Sequence, residues 1–300
     1  MPPKLSLVIV NYNTAAFLDR ALVTFAAGEM PFESEVIVID NGSVEPVEEV
    51  CARHSVRLMR LGKNRGYGAA ANRAAEEASG EYLAVANPDI AFGRHTAVRL
   101  VDCLDTHGRA GVVGPQLVYP DGTAQPSARR YPRLRYILVG RRSPLVRLMP
   151  QFGAAREFLY AGTEAAAGPV EVEAVLGTCM VFRRCAFDEV GGFDESYFLF
   201  AEDMDICRRL ALRGWQSFVE PAARLEHYYG GARRRHRLFS EQHRVQALVR
   251  FLGSGLPQAG RGLLAFGGVA YCSLLAAGDA LGLYEFEYSW AGRKETRRTA

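Results

Sequence analysis

The sequence predicts an α/β protein built on a mostly parallel sheet with helices on both faces. Three observations carry that expectation. The first 120 residues alternate between short apolar runs and stretches of helical period. The apolar runs are rich in β-branched residues, as in strands buried on both faces. Polar residues gather where those runs end, at the edge where open α/β sheets bind ligands.

Taken in order, the expected strands are Leu5 to Val10, Val36 to Ile39, Val56 to Leu61, Tyr82 to Ala86 and Val112 to Val118. Between them Ala15 to Ala27, Val47 to Arg53, Ala69 to Ser79 and Thr96 to Thr106 read as helices. From Asp121 to Pro169 the pattern gives way to Pro, Arg and Gly. A long irregular excursion within a compact domain is expected to be a lid or a binding loop. Order resumes at Val170 to Val175 and Met180 to Arg183, and a helix follows from Ala201 or Glu202 to Arg213, with Gly214 as its C-terminal cap. Gly262 to Tyr284 is strongly apolar but holds Asp279 and several Gly. A membrane span needs about 20 apolar residues, so the length just suffices; a helical hairpin, amphipathic or packed on the core, is the preferred reading. With Arg233 to Arg237 and Arg244 upstream, contact with an anionic membrane competes with dimer packing.

Composition narrows the class. A chain of 300 residues, 49% hydrophobic and 23% charged, can bury a large core and is not disordered. The net charge is only +3, but three Lys (Lys4, Lys63, Lys294) among 36 basic residues leave the rest to Arg. Where Arg clusters, at Arg129-Arg130, Arg141-Arg142 and Arg233-Arg234-Arg235, a planar fork suited to phosphate is presented. Six Cys without a Cys-x-x-Cys pair indicate neither a zinc site nor a disulfide framework, and they read as buried thiols in a reducing compartment. Met-Pro-Pro-Lys leads straight into the first strand with no signal-peptide pattern, so a cytoplasmic location is expected.

Five constellations carry chemistry. Ala86-Asn87-Pro88-Asp89 puts a carboxylate just past a strand end, placed to hold a divalent ion against a diphosphate. The first strand runs into Asn11-Tyr12-Asn13 and the second into Asp40-Asn41-Gly42-Ser43, so a nucleotide pocket forms where they meet, with Asp40 able to accept the imide N–H of a uracil or thymine ring. Asn64-Arg65-Gly66-Tyr67-Gly68 opens a helix, and both Arg65 and the helix N-terminus favour diphosphate. The third Gly of a dinucleotide fingerprint is missing and the loop follows the third strand, which makes a nicotinamide enzyme a poor fit. Glu202-Asp203-Met204-Asp205 offers a general base, Asp203. His227, in Leu225-Glu226-His227-Tyr228-Tyr229-Gly230-Gly231, can complete an acidic metal site. Singly, the loops also read as turns, the acids as complements to a helix dipole and the His as a structural residue.

Together with Gly191-Gly192-Phe193-Asp194-Glu195, these motifs in this order resemble the family 2 glycosyltransferases of the GT-A fold, and within them a bacterial rhamnosyltransferase branch, over about Leu5 to Arg250. The resemblance implies an inverting transfer from a dTDP- or UDP-linked sugar to a glycan or lipid-linked acceptor in cell-wall or surface-glycan synthesis. It implies Asp203 as base, Asp89 and His227 on Mg²⁺ or Mn²⁺, and donor contacts from Asn11, Asn13, Asp40, Asn64, Arg65, Gly66, Asn87 and Gly177. Asn87 departs from the family's Asp-x-Asp metal motif and predicts low metal affinity without the donor's phosphates. Residues 1–120 are then the nucleotide-sugar-binding half, 121–250 the acceptor-binding and catalytic half, and 251–300 a C-terminal helical extension, membrane-proximal or dimerising. L-Rhamnose from dTDP-rhamnose is the expected donor; a UDP-linked galactofuranose, N-acetylglucosamine or galactose, and a non-catalytic sugar-nucleotide-binding relative, stay open as alternatives. No nucleic-acid partner is expected, and the enzyme is placed in the cytoplasm, peripheral on the inner face of the plasma membrane.

Overall fold

The computed structural model describes residues 2–133, 157–228 and 237–280. The Arg141-Arg142 and Arg233–Arg235 clusters, Gly230-Gly231 and the end of the apolar stretch at Tyr284 lie outside the described residues.

The first half alternates as its sequence period requires: β1 (Leu5–Asn11), α1 (Ala15–Ala26), β2 (Ser34–Asp40), α2 (Glu48–Arg53), β3 (Arg57–Arg60), α3 (Tyr67–Ala75), β4 (Tyr82–Ala86), β5 (Ile90–Phe92), α4 (Thr96–Thr106) and β6 (Ala110–Val118). The second half adds β7 (Ala128–Arg129), β8 (Val170–Val172), β9 (Ala174–Val175), β10 (Cys179–Arg183), α5 (Arg184–Glu189), α6 (Glu202–Leu212), β11 (Gln216–His227), α7 (Arg237–Gly253) and α8 (Gln258–Ala280). Among the described residues, one sheet runs β3-β2-β1-β4-β10-β6-β11-β5, with β8 paired to β11, and β7 pairs with β9 in a separate ribbon. The first four of these strands are parallel, as are β6 and β11, while β10 runs antiparallel to both its neighbours and joins the two halves into one sheet.

Both faces of the sheet are covered, which is why its central strands β1, β4 and β10 are buried and largely apolar rather than alternating. In β1, Leu5, Leu7 and Ile9 pack with α1, α2 and α4, whereas Val8 and Val10 pack with α3 and α6. β2 and β4 divide the same way, Val38 and Ala84 facing the first layer and Ile37, Ile39, Leu83 and Val85 the second. Phe182, Phe187 and Phe193 meet edge to face at centroid distances of 5.1–5.8 Å and fill the second layer under α5.

Three expectations change. The run Val170 to Val175 is not one strand: it breaks at Glu173, whose carboxylate binds Arg130, Arg133 and the Tyr131 amide, so β8 joins the main sheet and β9 the small ribbon. The Cys are not uniformly buried. Cys185 is exposed on α5, while burial pushes the Cys51 thiol up to about 11 and those of Cys103, Cys179 and Cys207 up to about 12. As far as Ala280 the apolar C-terminal stretch is one long helix, α8, packed on α7, with Gly268 against Val245 and Val249. No helix among the described residues is long and apolar enough to cross a membrane. α7 is tied to α6 and to the segment after β7, since Phe251 packs against the Tyr131 ring and lies under the Arg208 guanidinium at 4.1 Å.

Candidate active site

The strand ends collect the expected polar groups. Asn11 closes β1 and Asp40 closes β2 in direct register, both buried. Asn11 Nδ2 donates to Asp40 Oδ1 at 3.1 Å and to Ser43 Oγ at 3.2 Å, while the Ser43 amide donates to Asp40 Oδ2 at 3.2 Å. A carboxylate accepts about four hydrogen bonds, so Asp40 retains capacity for an imide N–H. Asn13 has φ 53°, a left-handed conformation that Asn tolerates, and its Oδ1 accepts the Val44 amide. Tyr12 between them is 42% exposed.

The loop before α3 is more self-contained than its sequence suggests. The Arg65 amide donates to Asn41 Oδ1, the Gly66 amide to Asn64 Oδ1 and the Tyr67 amide to the Phe198 carbonyl. Gly66 has φ 92°, and a Cβ there would stand 2.5 Å from the Phe198 oxygen, so only Gly lets that loop approach. Those three amides are therefore engaged within the protein, whereas the Arg65 side chain is exposed.

Asp89 and His227 meet because of register. β5 runs antiparallel to β11 with Ile90 opposite His227, and the Tyr228 amide donates to the Asp89 carbonyl at 2.9 Å. His227 Nε2 lies 3.7 Å from Asp89 Oδ2, with the side chains 10% and 13% exposed. Among the described residues no group of three or more His, Cys, Asp or Glu gathers as a metal site. One carboxylate oxygen and one imidazole nitrogen form a donor set suited to Mg²⁺ or Mn²⁺ whose other ligands come from phosphate and water.

Asp203 enters from α6. Its Oδ2 accepts the Gly177 amide at 2.9 Å and an ion pair from Arg129, and its Oδ1 accepts the Met204 amide at 2.8 Å. Neighbouring Thr178 accepts the Asn87 amide through its carbonyl at 2.9 Å, which ties the β4 end to the same loop. Tyr67 Oη donates to the Gly177 carbonyl at 3.1 Å, and burial first, then Glu202, Cys179, Asp203 and Asp89, keep that phenol far above its ordinary pKa. Asp89, Glu202 and Asp203 thus share one electrostatic neighbourhood.

One sequence reading is corrected. The Arg129-Arg130 forks bind carboxylates instead of phosphate: Arg129 takes Asp203, and Arg130 takes Glu173 at 3.1 Å and stacks over Tyr160. Asp205 is an ion-pair residue, held by Arg208 at 3.2 Å and Arg209 at 2.6 Å. One residue that the sequence reading missed is Gln125, whose Oε1 lies 3.0 Å from His227 Nδ1.

The glycosyl transferase family 2 profile matches residues 6–191, which include Asn11, Asp40, Asp89 and Gly177 but stop short of Asp203 and His227. The chain belongs to glycosyl transferase family 2. The related glycosyl transferase family group 2 profile matches residues 157–277. The chain is 34% identical over 242 residues to the N-acetylglucosaminyl-diphospho-decaprenol L-rhamnosyltransferase of Mycobacterium tuberculosis, covering 76% of this chain and 77% of the relative. It is 23% identical over 232 residues to the rhamnosyltransferase WbbL of Escherichia coli, covering 74% and 82%. The fold is similar to that of the mannosyltransferase PcManGT from Pyrobaculum calidifontis, solved with GDP-Man and Mn²⁺, at a TM-score of 0.59 and 19% identity over 95% of this chain and 82% of that one. The protein is a family 2 glycosyltransferase of the GT-A fold.

Proposed function

We propose that this glycosyltransferase moves L-rhamnose from dTDP-rhamnose, with inversion and with a divalent metal, onto a lipid-linked or polysaccharide acceptor in cell-wall or surface-glycan synthesis. The observation that carries the mechanism is the Asp89–His227 pair, 3.7 Å apart, next to Asn87, whose amide bonds the loop that also donates the Gly177 amide to Asp203. The choice of sugar is supported by the mycobacterial relative, named for rhamnosyl transfer to a decaprenyl-linked sugar diphosphate.

Donor recognition follows from the strand ends. Asp40, already fixed by Asn11 and Ser43, accepts the imide N–H of the pyrimidine, with Asn11, Asn13 and Asn64 shaping the pocket and Arg65 reaching the diphosphate. Mg²⁺ or Mn²⁺ beside Asp89 and His227 would offset the charge that builds on the departing diphosphate. Asp203 takes the proton of the acceptor hydroxyl as that oxygen bonds to the anomeric carbon and the bond to the diphosphate breaks on the opposite face. Oδ2 carries two donors, Arg129 and the Gly177 amide, which fix the carboxylate's orientation. Oδ1 carries the Met204 amide and has a further lone pair for the proton.

In this reading residues 1–120 bind the donor, 121–250 bind the acceptor and carry the base, and 251–300 bring the enzyme to its acceptor at the inner face of the membrane. Exposed Leu263, Phe266 and Val269 on α8 support that last role. The test is a panel of dTDP-, UDP- and GDP-linked sugars scored for nucleoside diphosphate release with acceptor present. Release from dTDP-rhamnose above all others is expected; a UDP-sugar as the preferred donor would replace the sugar assignment, and no release from any donor would remove the catalytic reading.

A further inference from the structure

We propose that Gln125 is a positioning residue that fixes the tautomer of His227 and aims its Nε2 lone pair at the cation site beside Asp89, an inference that rests on the metal reading above. Gln125 sits on the segment that turns back after β6, and its own backbone is pinned, the amide to the Leu117 carbonyl at 2.8 Å and the carbonyl to Gln116 Nε2 at 2.9 Å. The residue is 5% exposed, so its side-chain amide must find its partners inside the protein.

Those partners decide the protonation pattern. Gln125 Nε2 lies 2.8 Å from the His227 carbonyl and 3.3 Å from the Val118 carbonyl. Carbonyl oxygens only accept, so the amide nitrogen belongs on that side and Oε1 belongs on the other, 3.0 Å from His227 Nδ1. An amide oxygen also only accepts. Nδ1 must therefore carry the hydrogen, and in a neutral imidazole Nε2 is then a lone-pair donor.

That lone pair faces Asp89 Oδ2 at 3.7 Å. A carboxylate oxygen and an imidazole lone pair repel one another unless a cation or a proton stands between them. The separation is less than twice a ligand bond of about 2.1 Å, so one divalent ion can touch both. By bonding to both the ring and the carbonyl of the same His, Gln125 restrains the ring's rotation as well as its tautomer. Partners of this kind to a ligating His typically change metal affinity about 10- to 100-fold when removed.

The test uses the full-length protein at a pH where the imidazole is neutral. Long-range ¹H–¹⁵N correlations of ¹⁵N-His protein report the His227 tautomer without metal, and electron paramagnetic resonance reports Mn²⁺ binding, alone and with dTDP. Wild type is expected to show Nδ1–H. Gln125→Leu is expected to admit the Nε2–H tautomer and to weaken Mn²⁺ binding about 10- to 100-fold. Gln125→Glu, which keeps an acceptor at Nδ1, is expected to keep the wild-type tautomer and recover most of that affinity. Wild type with Nε2–H overturns the proposal without recourse to any variant, as does a folded Gln125→Leu with unchanged tautomer and affinity. Nδ1–H in a wild type that binds no Mn²⁺, even with dTDP, overturns instead the metal reading on which the proposal rests.

Discussion

The Gly177 amide donates to Oδ2 of Asp203 at 2.9 Å, and a Cβ on Gly177 would stand 3.2 Å from the Asp203 Cβ, so the loop before β10 both holds and crowds the carboxylate. Asp203 is thus oriented before any acceptor arrives. Asp203→Asn should lower turnover by about 10² to 10⁴ while leaving dTDP affinity nearly unchanged, because the proposed mechanism has the group act on the acceptor proton and not on the donor. Steady-state kinetics with parallel calorimetry check this; near-normal turnover would move the role to Glu202.

Asp40 should select the base. Asp40→Asn should weaken dTDP and UDP binding by about 1–3 kcal/mol, the usual cost of leaving a buried partner unmatched. Wild type should bind both of these far better than CDP or GDP. Equal calorimetric affinities for dTDP and GDP would rule out the pocket.

Acid stability should depend on Glu35, away from the site. Burial opposes its ionisation, but donors from Ser6 and Ser79 outweigh it and leave the carboxyl below its ordinary value of 4.5. A depressed folded-state value gives stability that is present above the unfolded-state value and lost as pH falls through the folded one. Glu35→Gln should therefore lower the melting temperature at pH 7, with the gap to wild type narrowing below about pH 4.5. A gap that stays constant from pH 7 to pH 3 would contradict the assignment.

Leu263 and Phe266, each 75% exposed on α8, are the groups that the proposed membrane role assigns to a lipid surface. Replacing both by Ser should reduce co-sedimentation with anionic vesicles without changing dTDP binding, and added salt should weaken the wild-type association. Vesicle binding that stays intact while a dimer becomes monomeric would mark this face as a subunit contact.

These residues differ in how readable they were. Asp89 was legible because it follows an unbroken apolar strand, and Asp203 because three acids open a helix. The meeting of Asp89 with His227 was not, since β11 continues through Pro221 with a register shift between Glu220 and Arg224 that no period reveals. Arg129 looked like a phosphate fork because its partner Asp203 lies 74 residues away. Gln125 gave no signal at all: an amide is not expected among metal-site residues, and its contact to His227 spans 102 positions. Local sequence thus located the strand ends, while the pairing of side chains across them required the sheet.

Metal-dependent transfer through Asp89 and His227 is measured by dTDP release from dTDP-rhamnose with a lipid-linked acceptor as Mn²⁺ is titrated into chelator-treated enzyme. No acceptor-dependent release is expected without metal, with full recovery on adding it and a raised Mn²⁺ requirement in both Asp89→Ala and His227→Ala. Undiminished release in excess chelator would contradict it and leave Arg65 as the group that stabilises the departing diphosphate.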